Sequence, residues 1–119
     1  MAKILIVDDS ITSRKMLKGI LEEAGYEVVG EAQDGEQGTK LYSELKPDIV
    51  TLDITMPVLD GIDALQRIKE IDADAKVIMV TAAGQKSKMV EAVKYGATEF
   101  VAKPFDQAQF LVIIEKVLS

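Results

Sequence analysis

Residues 4–9, Ile4-Leu5-Ile6-Val7-Asp8-Asp9, decide how the rest of the chain is read: a short apolar run that ends in two adjacent carboxylates. An apolar run of this length, bounded by polar residues, reads as a strand buried on both faces. The pattern returns at Ile49-Val50-Thr51-Leu52 before Asp53, at Val77-Ile78-Met79-Val80 before Thr81, and at Phe100-Val101-Ala102 before Lys103. If these runs lie parallel in one sheet, carboxylates, a hydroxyl and an ammonium meet at its C-terminal edge. That edge is where open α/β sheets hold their ligands.

Between the runs the apolar period changes. Met16, Leu17, Ile20, Leu21 and Ala24 form a helical stripe with Gly25 placed as its left-handed stop. Residues 27–32 read as a further strand, and Asp34-Gly35 as a turn and N-cap. The helix that follows carries Gly38, Leu41, Tyr42 and Leu45 on one face, and Pro47 is expected to end it. Past a loop with Pro57 and Gly61 comes the stripe Ile62, Leu65, Ile68 and Ile71. Met89, Val90 and Val93 mark a fourth helix that stops near Gly96, and Phe110, Leu111, Ile114, Val117 and Leu118 mark a fifth. This strict βα alternation predicts an α/β fold, a five-stranded parallel sheet doubly wound by helices on both faces, as one domain over residues 1–119.

Composition narrows the chemistry. The 119 residues contain no cysteine and no histidine, which excludes disulfides, thiol nucleophiles, imidazole bases and thiolate or imidazole metal sites. Any metal must be hard and held by oxygen. A net charge of −6 and a pI near 4.6 argue against a nucleic-acid partner, which needs a basic surface. The longest apolar run, Phe110 to Ile114, is far too short to span a bilayer, and no signal peptide is visible, so a cytoplasmic protein is expected.

With the first and third strands adjacent, Asp8, Asp9 and Asp53 come together. Close carboxylates raise one another's pKa, so they should want a divalent cation, and oxygen ligands with open positions suit Mg²⁺. With that charge neutralised, an aspartate can attack a phosphoryl group in line and become an aspartyl phosphate. Asp53 is the expected nucleophile, because the Asp8-Asp9 doublet supplies the metal pair. Lys103 would neutralise a phosphoryl oxygen and the Thr81 hydroxyl would donate to another. Each piece alone is ordinary: an Asp-Asp after a strand is most often a turn or N-cap, a terminal threonine plain β-propensity, and Phe100 core. Their coincidence on successive strand ends is what carries the reading.

These residues resemble the receiver domain of bacterial two-component response regulators over the whole chain. The resemblance rests on Ile6-Val7-Asp8-Asp9, Asp53-Ile54-Thr55-Met56-Pro57, Asp60-Gly61, Thr81-Ala82 and Lys103-Pro104-Phe105, in spacing as well as identity. Within the family the chain is most similar to the stand-alone chemotaxis regulators, through Thr81-Ala82-Ala83-Gly84-Gln85 and Tyr95-Gly96-Ala97. The resemblance implies the flavodoxin-like strand order 2-1-3-4-5. It implies that Asp53 accepts phosphate from a histidine kinase or a small donor such as acetyl phosphate, and that Asp8, Asp9, Asp53 and the Thr55 backbone carbonyl hold Mg²⁺. Thr81, Lys103 and the Ala82 backbone N–H would contact the phosphate, with Lys103-Pro104 joined by a cis peptide. Thr81 and Phe100 would form the switch, Phe100 standing where many chemotaxis members carry tyrosine. The implied output is binding to a partner protein, a flagellar motor switch component, through the face of the fourth helix, fifth strand and fifth helix. A phosphatase partner, a monomeric state and a signalling role in place of turnover catalysis are implied with it.

Other readings share parts of this pattern. A haloacid-dehalogenase-type phosphatase would want a second aspartate at the position of Thr55 and room for a substrate cap. A flavin- or nucleotide-binding module would need a glycine-rich first loop, where Asp8-Asp9-Ser10 stands instead. A phosphorelay or phosphate-sink receiver, or one cut from a larger regulator, would carry the same residues.

Overall fold

The computed structural model describes all of residues 1–119. The elements alternate without exception: β1 (Lys3–Val7), α1 (Ile11–Glu23), β2 (Glu27–Ala32), α2 (Gly35–Leu45), β3 (Ile49–Asp53), α3 (Gly61–Ile71), β4 (Val77–Thr81), α4 (Lys86–Lys94), β5 (Glu99–Ala102) and α5 (Gln107–Leu118). The strands form one parallel sheet in the order β2-β1-β3-β4-β5, so β2 and β5 are its edges. This is the flavodoxin-like order that the resemblance implies.

Strand periodicity sorts the core into two layers. On one face, Leu5, Val7, Val50, Leu52, Val77 and Met79 pack with residues of α2, α3 and α4, among them Tyr42, Ile62, Leu65, Ile68 and Ala92. On the other, Ile4, Ile6, Ile49, Ile78 and Val101 pack with Leu17, Ile20 and Leu21 of α1 and with Phe110, Ile114 and Val117 of α5. Burial on both faces explains why the interiors of β1, β3 and β4 are apolar, with Thr51 the exception. Its buried hydroxyl has no hydrogen-bond partner.

Helix ends follow local chemistry. The side chains of Ser10, Asp34, Asp60 and Asp106 each accept a backbone N–H in the first turn of the helix that follows. Gly25 lies at φ 94° just past α1 and lets the chain reverse there. At the end of α2 the expected stop, Pro47, is preceded by the actual one: Lys46 is the C-cap in the left-handed region, at φ 45°. The proline forces its predecessor out of the right-handed helical region, and the turn is therefore made one residue early.

The fourth helix departs most from the sequence pattern. Val90 and Val93, two of the apolar residues that mark the helix, are solvent-exposed, and the residue of α4 that is buried is Ala92. Met16, Leu45 and Ile71 are likewise exposed at the margins of their stripes. Helical period identifies the helix, while the covered part of its surface is set by the neighbours that happen to reach it.

Candidate functional site

The register of the sheet assembles the strand ends. Val7 pairs with Leu52, Asp53 with Val80 and Thr81 with Ala102, so the residues that follow Val7 and Ala102 emerge beside Asp53 and Thr81. Backbone bonds extend the ladder past β1 and β5: the Asp8 N–H donates to the Ala32 carbonyl at 3.0 Å, and the Lys103 N–H to the Thr81 carbonyl at 2.8 Å. The side-chain oxygens of Asp8, Asp9 and Asp53 lie within 4.8 Å of one another, with Asp8 and Asp53 buried and Asp9 exposed. Lys103 Nζ stands between two of them, 3.2 Å from Asp53 Oδ2 and 3.4 Å from Asp8 Oδ2. The Lys103-Pro104 peptide is cis.

Three carboxylates against one ammonium leave the site over-charged. Burial, reinforced by the neighbouring Asp8, pushes the Asp53 carboxyl up to about 6, and the attraction of Lys103 offsets only part of this. Burial works to lower the Lys103 pKa, but Asp53 and Asp8 outweigh it and hold the ammonium above the ordinary lysine value. One oxygen of Asp8, Oδ1, accepts the Ser10 N–H at 2.8 Å, whereas Oδ2 is buried with no hydrogen bond and faces only the Lys103 ammonium at 3.4 Å. An oxygen-only donor set with excess negative charge and a buried, under-coordinated oxygen suits a hard divalent cation, and these aspartates are the group in the chain that could hold one.

The remaining expected residues frame this cluster. Thr81 is buried, and its hydroxyl donates to the Val101 carbonyl at 3.5 Å, toward β5. Phe100 is half-buried and packs on the α2–α3–α4 side of the sheet, in the layer that also takes Met89 and Ala97. Thr55 is exposed in the β3–α3 loop, and Ala82 in the β4–α4 loop. The Ala82 N–H donates to Gln85 Oε1 at 2.6 Å.

Three residues support the site in ways that the sequence pattern alone does not assign. Gly61 donates its N–H to the Ile54 carbonyl at 2.7 Å, and a Cβ there would overlap the Asp53 carbonyl oxygen. Its signal was present in Asp60-Gly61, a dipeptide that marks a turn without saying what the turn approaches. Arg14 donates from Nη1 to the Asp8 carbonyl at 2.6 Å and pairs with Glu31, bracing β1 from α1. Gln85 links the β4–α4 and β3–α3 loops, and in the sequence it stands only as the end of Thr81-Ala82-Ala83-Gly84-Gln85, with no role of its own. Between Asp53 and α3, Val58 holds φ 68° in a tight turn closed by the Leu59 N–H on the Pro57 carbonyl at 2.7 Å, a left-handed conformation that a β-branched residue rarely adopts.

None of the four hollows on the surface is lined by Asp8, Asp9 or Asp53, so the cluster is an open edge and not a pocket that encloses a small substrate. No helix is long and apolar enough to cross a membrane.

The model of the response regulator receiver domain matches residues 4–115. The chemotaxis protein CheY of Thermotoga maritima is 50% identical over 115 residues, covering 97% of this chain and 96% of its own. CheY of Bacillus subtilis is 50% identical over 117 residues, covering 98% of each. Among solved structures, a chain of the CheX–CheY–BeF₃–Mg²⁺ complex from Borrelia burgdorferi superposes with a TM-score of 0.94 at 39% identity, covering 99% of this chain and 90% of that one. CheY is itself a reference example of the 2-1-3-4-5 strand order.

Proposed function

The chain belongs to the family of response regulator receiver domains, and from that premise we propose that it is a chemotaxis regulator of the CheY type that accepts a phosphoryl group on Asp53. Receivers of this kind are signalling switches and not turnover enzymes. The observation that carries the reading is Lys103 Nζ held between Asp53 and Asp8, beside Asp9, at the end of β3. It supplies a nucleophile, a counter-charge and a cation site in one place.

In the transfer, an Asp53 carboxylate oxygen attacks the phosphorus of a kinase phosphohistidine or of acetyl phosphate. The bond from phosphorus to the imidazole nitrogen or acetyl oxygen breaks, and its electron pair leaves with the donor. Asp8, Asp9, Asp53 and the Thr55 backbone carbonyl would hold Mg²⁺. When bound, the cation supplies charge neutralisation for the transferred group. Lys103 neutralises a phosphoryl oxygen, and the Ala82 N–H and Thr81 hydroxyl donate to others. The raised pKa of Asp53 makes a divalent cation all the more useful, since the carboxylate must be ionised to attack.

Signal output follows from Thr81. If its hydroxyl turns from the Val101 carbonyl to the phosphoryl group, Phe100 gains the space behind it, and α4 shifts with its loop. A downstream protein, in this reading a flagellar motor switch component, meets the α4–β5–α5 face, and a phosphatase resets the switch. A cytoplasmic monomer acting as one domain over residues 1–119 suits this role.

The test is intact mass after incubation with acetyl phosphate and Mg²⁺. The expected result is the gain of one phosphoryl group, absent in Asp53→Asn and in an EDTA control. Full labelling of Asp53→Asn would remove Asp53 as the acceptor.

A further inference from the structure

Gln85 lies immediately before α4, at the position where a side chain ordinarily caps the helix, yet it makes no cap bond. Its amide is turned the other way, across the mouth of the site. Oε1 accepts the Ala82 N–H at 2.6 Å, and Nε2 donates to Thr55 Oγ1 at 2.5 Å. One half-buried side chain thus ties the loop that follows Thr81 at the end of β4 to the loop that follows Asp53 at the end of β3.

The Ala82 N–H has a single hydrogen to give. We propose that Gln85 is a positioning residue that competes with the phosphoryl group on Asp53 for this N–H, and that its displacement releases the β4–α4 loop from Thr55. The inference rests on Asp53 as phosphoacceptor, since the Ala82 N–H matters only if a phosphoryl oxygen arrives beside it. An anionic oxygen is a stronger acceptor than a neutral amide, so the phosphoryl group wins once it is in place. Until then Gln85 keeps the donor occupied and the two loops joined. A ligand that must first break such a contact binds with its affinity reduced by the fraction of molecules already open.

Gln85→Ala removes both hydrogen bonds, and Gln85→Met removes them while keeping the length and most of the volume of the side chain. Beryllofluoride, a phosphoryl mimic, is titrated with excess Mg²⁺ into the parent and both variants, followed by backbone amide NMR. Both variants are expected to bind about three- to tenfold more tightly than the parent, the range set by loss of one or two competing hydrogen bonds. In the free Gln85→Met protein, the Ala82 amide is expected to exchange with solvent faster than in the parent, a change that a packing role for Gln85 would not produce. Equal or weaker beryllofluoride binding by both variants, or an unaltered Ala82 amide in Gln85→Met, would overturn the competition and leave Asp53 as acceptor untouched. No binding by the parent would overturn both.

Discussion

Helices α3 and α4 pack on the same face of the sheet, each following a strand that ends at the site, yet they are held in very different ways. Helix α3 buries Gly61, Ile62, Ala64, Leu65 and Ile68, and the Asp60 side chain caps it by accepting the Asp63 N–H at 3.0 Å. Helix α4 buries Ala92 alone and has no side-chain cap. The loop before α3 is locked by Gly61 against the backbone of Asp53, while the loop before α4 is fastened by the Gln85 side chain. In the proposed switch, a nucleophile on the α3 side would have to keep its position while the element that reports its state moves. The helix with many buried anchors suits the first task and the one with few suits the second.

The sharpest way to break this contrast is Gly61→Ala. A Cβ there meets backbone and not a flexible side chain, so a loss of about 3 kcal/mol or more is expected in urea or guanidinium unfolding. A loss below about 1 kcal/mol would mean that the β3–α3 loop yields as readily as its neighbour.

Matched truncations sharpen the same point. Leu65→Ala in α3 should cost about 3 kcal/mol, because the side chain is fully buried. Val93→Ala in α4 should stay within about 0.5 kcal/mol, because that side chain is 60% exposed. Similar losses at the two positions would erase the distinction between anchored and mobile helices.

Next in size is the electrostatic load on the anchored side. Asp53 titrates near 6 in the folded chain against 3.8 for an unperturbed carboxyl, so between these values the native state binds more protons than the unfolded one. Without divalent cation, the contribution of Asp53 to stability is therefore greatest below about pH 4 and is lost as the pH rises through 6. Asp53→Asn removes this fall. At pH 7 and low salt the variant should be more stable by about 1 kcal/mol, the full shift being discounted for solvent screening at the open edge and for the ion pair that Lys103 loses. Parallel pH–stability curves for variant and parent would show that the carboxylate carries no such load. The smallest expected effect concerns Val58: replacing it by glycine relieves the left-handed conformation at φ 68° and should raise stability by about 0.5–1 kcal/mol in thermal unfolding. A loss of stability would place the anchoring of this loop in the Val58 side chain.

The two helices also differ in how far they were legible in the sequence. For α3, the stripe Ile62, Leu65, Ile68 marked the buried face, because a wide apolar face leaves little choice of orientation, whereas the Asp60 cap is visible only in the structure. For α4, Met89, Val90 and Val93 marked the helix but not its covered side, since one small residue, Ala92, suffices where a helix lies shallowly on the sheet. The strand ends were legible for a simpler reason: parallel register brings successive C-termini to one edge, so Asp8, Asp53, Thr81 and Lys103 could be grouped before any contact was known. Gln85 and Arg14 could not, because the reach of a long polar side chain depends on loop geometry that composition does not encode.

Strand β5 has one more consequence. It is an edge of the sheet, only four residues long, with Glu99 at its start tied to Lys116 at 3.0 Å and Pro104 soon after its end. An edge this short and charged is a poor template for strand addition, by a second copy or by an extended peptide. A protein that met this side of the molecule would therefore have to read side chains and helix surface, and the exposed sheet margin offers little for aggregation.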